Sequence, residues 1–259
     1  MDNIFSFQRF FKLLNKHTRE HYKAYLISTA VLIGILSLML GFTAYLGGGS
    51  LDVKAQFAYF FIFMFLSGTI FTSMVFADLS DKKRSIPALT LPVSNFERFF
   101  VGWVYSYLIF QVIFVTCYLI VDSLVIYLGN VNPNVKNELF SVVEGKNKFM
   151  IAFLIYGLLH AIAFLGAVFF EKLHFIKTAF VIFIMLGALQ LINVPLISFF
   201  FKTNARMQPI FAGVSLQERN DYYFISPTDQ SFAVLITMFL AVSIVLWAAA
   251  FFKLKEKQV

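Results

Sequence analysis

Charge, cysteine and a nucleotide-binding loop are what this sequence has least of. Charged residues make up 14% of 259 positions, with 14 acidic against 21 basic side chains. A soluble fold of this size carries about a quarter of its residues charged. Instead, 59% of the residues are hydrophobic, 35 are Phe, 11 are Tyr, and the mean hydropathy is +0.78. That is more apolar surface than a 29.6 kDa globule can hide from water, so the bilayer is expected to act as solvent. The single Cys117 excludes an intrachain disulfide and, lying in an apolar stretch, reads as a small apolar side chain. The phosphate-cradling string G-x-x-x-x-G-K-[ST] is missing: its nearest approach, Phe140 to Asn147, has Gly145-Lys146 but no first glycine and ends in Asn. ATP use is therefore expected on another polypeptide. The net charge of +7 does not point to nucleic acid, because the Lys and Arg residues gather at the ends of apolar runs rather than on one continuous face.

Six apolar runs, at roughly 24–46, 57–77, 100–128, 149–170, 175–201 and 231–252, are each long enough to cross about 30 Å of hydrocarbon at about 1.5 Å per residue. None alternates with period two, which disfavours a β-barrel. The expectation is an all-α integral membrane protein, a single domain built as a six-helix transmembrane bundle. Of the Lys and Arg residues, 14 fall on the side that holds both termini and 7 on the other. By the positive-inside rule the chain is a multi-pass protein of the cell membrane with both termini cytoplasmic. The first run exceeds the 7–15 residues of a signal-peptide core and is expected to be retained.

Ahead of it, Ile4, Phe7, Phe11 and Leu14 recur at helical spacing, widened by Phe10 and Leu13, while Gln8, Arg9, Lys12 and Lys16 take other faces. That pattern predicts an interfacial amphipathic helix over about 3–21, lying in the inner headgroup plane before the chain turns into the first span. A soluble partner-binding helix is the other reading of the same pattern. The outer loops at 129–148 and 202–230 carry turn formers at Asn132-Pro133 and Ser226-Pro227, and the second holds Tyr222, Tyr223 and Phe224.

Several strings carry possible chemistry. His17-Thr-Arg-Glu20-His21 matches the inverted zinc-hydrolase motif H-x-x-E-H, yet a catalytic zinc wants a third ligand and a shaped cavity. Glu171-Lys172-Leu173-His174 matches half of a di-iron site whose other half is missing, so it reads as helix-end charge in a tight turn. Polar candidates within the apolar runs are Gln111, Asp122, His160, Gln190 and Asn193. His160 reads as a hydrogen-bonded bundle residue rather than a ligand. Asp122, near the outer end of the third run, belongs to a residue type that costs about 2.5–3.5 kcal/mol at mid-bilayer and wants a partner or water, which leaves a headgroup-level or subunit-interface role and a transport-path role equally open. Asn193-Val-Pro195 predicts a kink. No metal site is expected in this chain.

The most informative stretch is the first cytoplasmic loop. A basic cluster, Lys82, Lys83 and Arg84, is followed by Leu89-Thr-Leu91-Pro92-Val-Ser94-Asn-Phe-Glu97-Arg98. Ser94 and Glu97 have the S-x-x-E spacing of a capping box that starts the third helix, and Pro92 keeps helix from running back through Leu91. This loop, with the amphipathic N-terminus and six spans, resembles the membrane subunits of type-2 ABC exporters, in which a basic cluster, then Leu-x-Leu-Pro-x-Ser-x-x-Glu, leads into the third helix. The resemblance of layout covers nearly the whole chain; the sequence departs from it at Gly102-Trp103, where relatives often place Lys. It implies a permease subunit whose loop docks on a separate ABC ATPase subunit carrying ATP and Mg, with a second permease chain enclosing the path, most plausibly for export. The chain itself would then be no enzyme. Two rival readings are a membrane-embedded metal-dependent hydrolase, from His17, Glu20, His21 and His160, and a non-transporting membrane scaffold.

Overall fold

The computed structural model describes residues 5–75, 93–130, 137–139, 146–170, 173–201, 214–218, 221–225 and 229–256. Its helices are α1 (Phe7–Leu46), α2 (Val53–Met74), α3 (Asn95–Gly129), α4 (Lys146–Phe169), α5 (His174–Phe201) and α6 (Asp229–Glu256). All six are long and apolar enough to cross a membrane. Within α3, residues Val104–Ile109 form a π-helical segment.

Two sequence expectations need correction. The chain is not wholly helical: β1 (Val214–Glu218) pairs antiparallel with β2 (Asp221–Ile225), Ser215 opposite Phe224 and Leu216 opposite Tyr223. Strands of 5 residues are too short to register as apolar runs, and Val214-Ser-Leu-Gln alternates over only two periods. Nor is the amphipathic stretch set apart from the first span by a break in the helix: both lie in α1, one helix of 40 residues. Residues 20–26, Glu-His-Tyr-Lys-Ala-Tyr-Leu, contain no glycine or proline to stop it. Pro195 likewise lies inside α5, which continues to Phe201.

Helix α4 is the centre of the bundle, packing on α6, α2 and α5, while α1 packs along α3. Its small residues explain this: Ala152, Ala161, Ala163 and Ala167 are all buried, and Gly166 lies directly against Thr178 of α5. In lipid, where apolar surface gives no preference between neighbours, small residues let helix backbones approach and gain dispersion contacts. Helix α5 is the peripheral one, with Thr178 and Ile197 its buried residues.

The larger core cluster lies toward the end where α1 hands over to α2, with Leu36 and Leu40 of α1, Phe60 and Met64 of α2, Phe114 and Tyr118 of α3, and Tyr156 of α4 fully buried. Gly68 of α2 faces the Tyr156 ring so closely that a Cβ there would overlap it and stand 2.9 Å from Phe110 Cε1. Both rings are locked in the core, so Gly68→Ala is expected to lower stability by about 1–3 kcal/mol through overpacking. Denaturant titration of the purified protein in micelles checks this; an unchanged midpoint would contradict the packing described.

The same end of the bundle is tied by side-chain amides. The left-handed Gly48 (φ 63°) and Gly49 (φ 95°) turn the chain from α1 into α2. Asn137 accepts the Leu51 N–H at 2.8 Å and donates to the Gly49 carbonyl at 2.7 Å, while Gln56 Nε2 donates to the Glu138 carbonyl at 2.9 Å.

Candidate functional site

The first site is the junction where α3 begins. Ser94 Oγ accepts the Glu97 N–H at 3.1 Å and Glu97 Oε2 accepts the Ser94 N–H at 2.8 Å, so the expected capping box is present. The structure adds what spacing could not show. Glu97 Oε1 also accepts the Ser6 N–H at 2.8 Å and the Arg9 Nε–H at 3.2 Å. One fully buried carboxylate thus receives donors from both the end of the first loop and the start of α1. Burial alone would raise the Glu97 pKa, but the Ser94 and Ser6 N–H groups and the Arg9 charge outweigh it and hold the carboxyl below its ordinary value. Arg98 is half-buried beside it. Lys82, Lys83, Arg84, Leu89, Leu91 and Pro92 lie outside the described residues.

The second site is the polar centre of the bundle, at the π segment of α3. Trp247 of α6 donates its Nε1–H to His160 Nδ1 at 3.1 Å. An indole nitrogen only donates, so His160 Nδ1 is an acceptor and Nε2 carries the proton. That proton goes to Ser106 Oγ at 2.8 Å, and the Ser106 hydroxyl donates to the Gly102 carbonyl at 2.7 Å. The chain of donors runs one way from α6 through α4 to α3, with His160 and Ser106 fully buried. Tyr156 donates to the Ser106 carbonyl at 3.0 Å, and the Tyr107 ring lies 5.0 Å from His160, 5.1 Å from Trp103 and 5.5 Å from Trp247. His160 is therefore the hydrogen-bonded bundle residue expected from its position. In this tautomer it cannot take the Ser106 proton, and both of its nitrogens are occupied. The π segment matters here because its extra residue rotates the N-terminal part of α3 against the C-terminal part, a feature concentrated at functional positions.

The remaining candidates scatter. Asp122 is fully buried, and neither carboxylate oxygen has a hydrogen-bond partner among the described residues. Gln111 Nε2 is buried and has no hydrogen-bond partner among the described residues. Gln190 and Asn193 are half-buried on α5. The His17 and His21 rings do lie close, 4.6 Å apart and tilted by 48°, but His17 Nε2 bonds the Tyr25 hydroxyl at 2.6 Å and Glu20 pairs with Lys16 at 3.6 Å. Among the described residues no group of three or more His, Cys, Asp or Glu is placed to hold a metal. Glu171 and Lys172 lie outside the described residues, and His174 opens α5.

No family model, curated protein or solved structure matches the chain. Sequence reasoning missed Ser6, Arg9, Ser106 and Trp247. Ser106, a hydroxyl at i+4 from Gly102 in an apolar run, and Trp247, a polar-tipped ring inside the last run, were the available signals.

Proposed function

We propose that the chain is the permease subunit of an ATP-binding-cassette exporter, a multi-pass membrane protein with both termini cytoplasmic and no covalent chemistry of its own. The observation that supports this best is the Glu97 junction. A loop that receives force needs a stiff connection to a span, and here the end of the first cytoplasmic loop is bonded both into the first turn of α3 and onto the start of α1. Displacement of the loop would move the inner ends of two helices together, a rigid-body input. Above the junction, the π segment offers a place where α3 changes its facing. In this reading the basic cluster Lys82, Lys83 and Arg84 meets a separate ATPase subunit that supplies ATP and Mg, and a second permease chain completes the path.

The test is co-purification of the tagged chain from its own host with a protein that carries a phosphate loop and hydrolyses Mg-ATP. Charge reversal by Lys82→Glu, Lys83→Glu and Arg84→Glu is expected to reduce its recovery at least about tenfold, since each like-charge contact in an interface costs more than 1 kcal/mol. Recovery of the chain with no ATPase, or unchanged recovery in the triple variant, would favour a scaffold.

A further inference from the structure

The inner part of α1 does not run alongside α3 as its outer part does. From Tyr25 to Gly49, 24 residues of chain accompany 24 residues of α3, Tyr105 to Gly129: the Tyr25 and Tyr105 rings are 5.6 Å apart, and Gly49 meets Gly129 backbone to backbone. Inward of Tyr25 this parity fails. Phe10 lies 5.3 Å from Phe100, so about 22 Å of α1 passes only about 8 Å of α3. Tyr105 alone meets Leu14, His17, Thr18 and Tyr25. Inward of Tyr25 the helix lies across α3.

The face it turns away from α3 is basic. At about 100° per residue, Lys12, Lys16, Arg19 and Lys23 fall within about 60° of arc, opposite Phe10, Leu14 and His17, which meet α3. Between these two faces stand Phe7, Phe11 and Tyr22, exposed by 71%, 61% and 48%. Glu20 is the only acidic residue between positions 7 and 23, and it is spanned by Lys16.

We propose that residues 7–23 form a docking surface for anionic phospholipid headgroups, the four cations meeting the phosphates and the three rings entering the acyl boundary. A stripe built for an acidic protein surface would have no use for bare phenylalanines along one flank. A helix lying across the bundle, continuous with an apolar span, needs both features at the headgroup level. The proposal goes beyond the ATPase-coupled reading and does not depend on it.

The experiment uses the full purified chain in nanodiscs of phosphatidylcholine with phosphatidylglycerol, reading the lipids retained by native mass spectrometry. The wild type is expected to retain phosphatidylglycerol over phosphatidylcholine by about tenfold or more, falling at high salt, as several surface cations acting together require. Combined Lys12→Gln, Lys16→Gln, Arg19→Gln and Lys23→Gln abolishes the preference. Lys12→Arg with Lys23→Arg keeps it, which separates charge from folding damage, and Lys253→Gln with Lys255→Gln at the end of α6 also keeps it. Equal retention of the two lipids by the wild type would overturn the proposal. So would the same loss in the α6 control, or a preference unchanged in the quadruple variant, the result expected if the stripe serves an acidic protein instead.

Discussion

Glu97→Ala is expected to destabilise the protein by about 3 kcal/mol, combining a lost capping box with lost charge-assisted hydrogen bonds. The carboxylate is fully buried in the first turn of α3, ahead of the apolar run that begins near residue 100, and it accepts from Ser94, Ser6 and Arg9. Truncation strands two buried backbone N–H groups and the Arg9 guanidinium at once, so the loss exceeds that of an ordinary N-cap. Glu97→Gln should fall between, because its amide keeps one acceptor oxygen and turns a donor toward a donor. The pH dependence has a definite sign. A carboxyl held below its ordinary value of 4.5 stabilises the folded state fully above that value, and the contribution drains away as pH falls through the lower, folded value. Unfolding of wild type and Glu97→Gln, followed near neutral pH and again under acid, should therefore differ at neutral pH and converge in acid. A constant gap would mean that Glu97 acts by packing alone.

Removing the His160 ring is expected to be the other large effect. His160→Ala opens a void among Phe164, Tyr107 and Trp247 and removes both an acceptor for the Trp247 indole and a donor for Ser106. The expected loss is about 4 kcal/mol, most of it cavity and the rest orphaned polar groups. His160→Phe fills the void and isolates the polar part, at about 1–2 kcal/mol, modest because hydrogen bonds between helices in lipid average below 1 kcal/mol each. Combining His160→Phe with Trp247→Phe should cost less than the sum of the two, since the second change removes a group the first left unpaired. Denaturant titration of the four proteins in micelles measures that cycle. Strict additivity would show that the hydrogen bond carries no energy and that His160 serves only to fill space.

These two residues show how far the sequence could be read. Glu97 was legible as a cap because a capping box is a local device, complete within four residues. Its other donors, Ser6 and Arg9, are 91 and 88 positions away and belong to a helix whose own pattern points only to an apolar stripe. His160 was legible as a buried polar group in need of partners, but Ser106 and Trp247, 54 and 87 positions off, look like ordinary members of apolar runs. Asp122 was legible as a costly group in an apolar run, but its full burial, with neither oxygen bonded among the described residues, is something no local pattern announces. That no break in the helix separates the amphipathic stretch from the first span has a different reason. Polarity changes near residue 23, but a change of polarity does not break a helix in which every residue can donate and accept.

What the amino-acid order decided by itself is the number of apolar helices and their approximate ends. Hydrocarbon thickness sets a minimum length, and a long apolar run hides from water in lipid whatever stands beside it. It also decided the start of α3, through Ser94 and Glu97. Only the tertiary structure decided which face of each helix turns inward: why α4 is enclosed while α5 is peripheral, why α1 runs along α3 at one end and across it at the other, and why the His160 proton points to Ser106. In water an apolar stripe announces the buried side. In lipid both sides are apolar, so the choice rests on shape, small residues and a few hydrogen bonds between positions far apart in the chain.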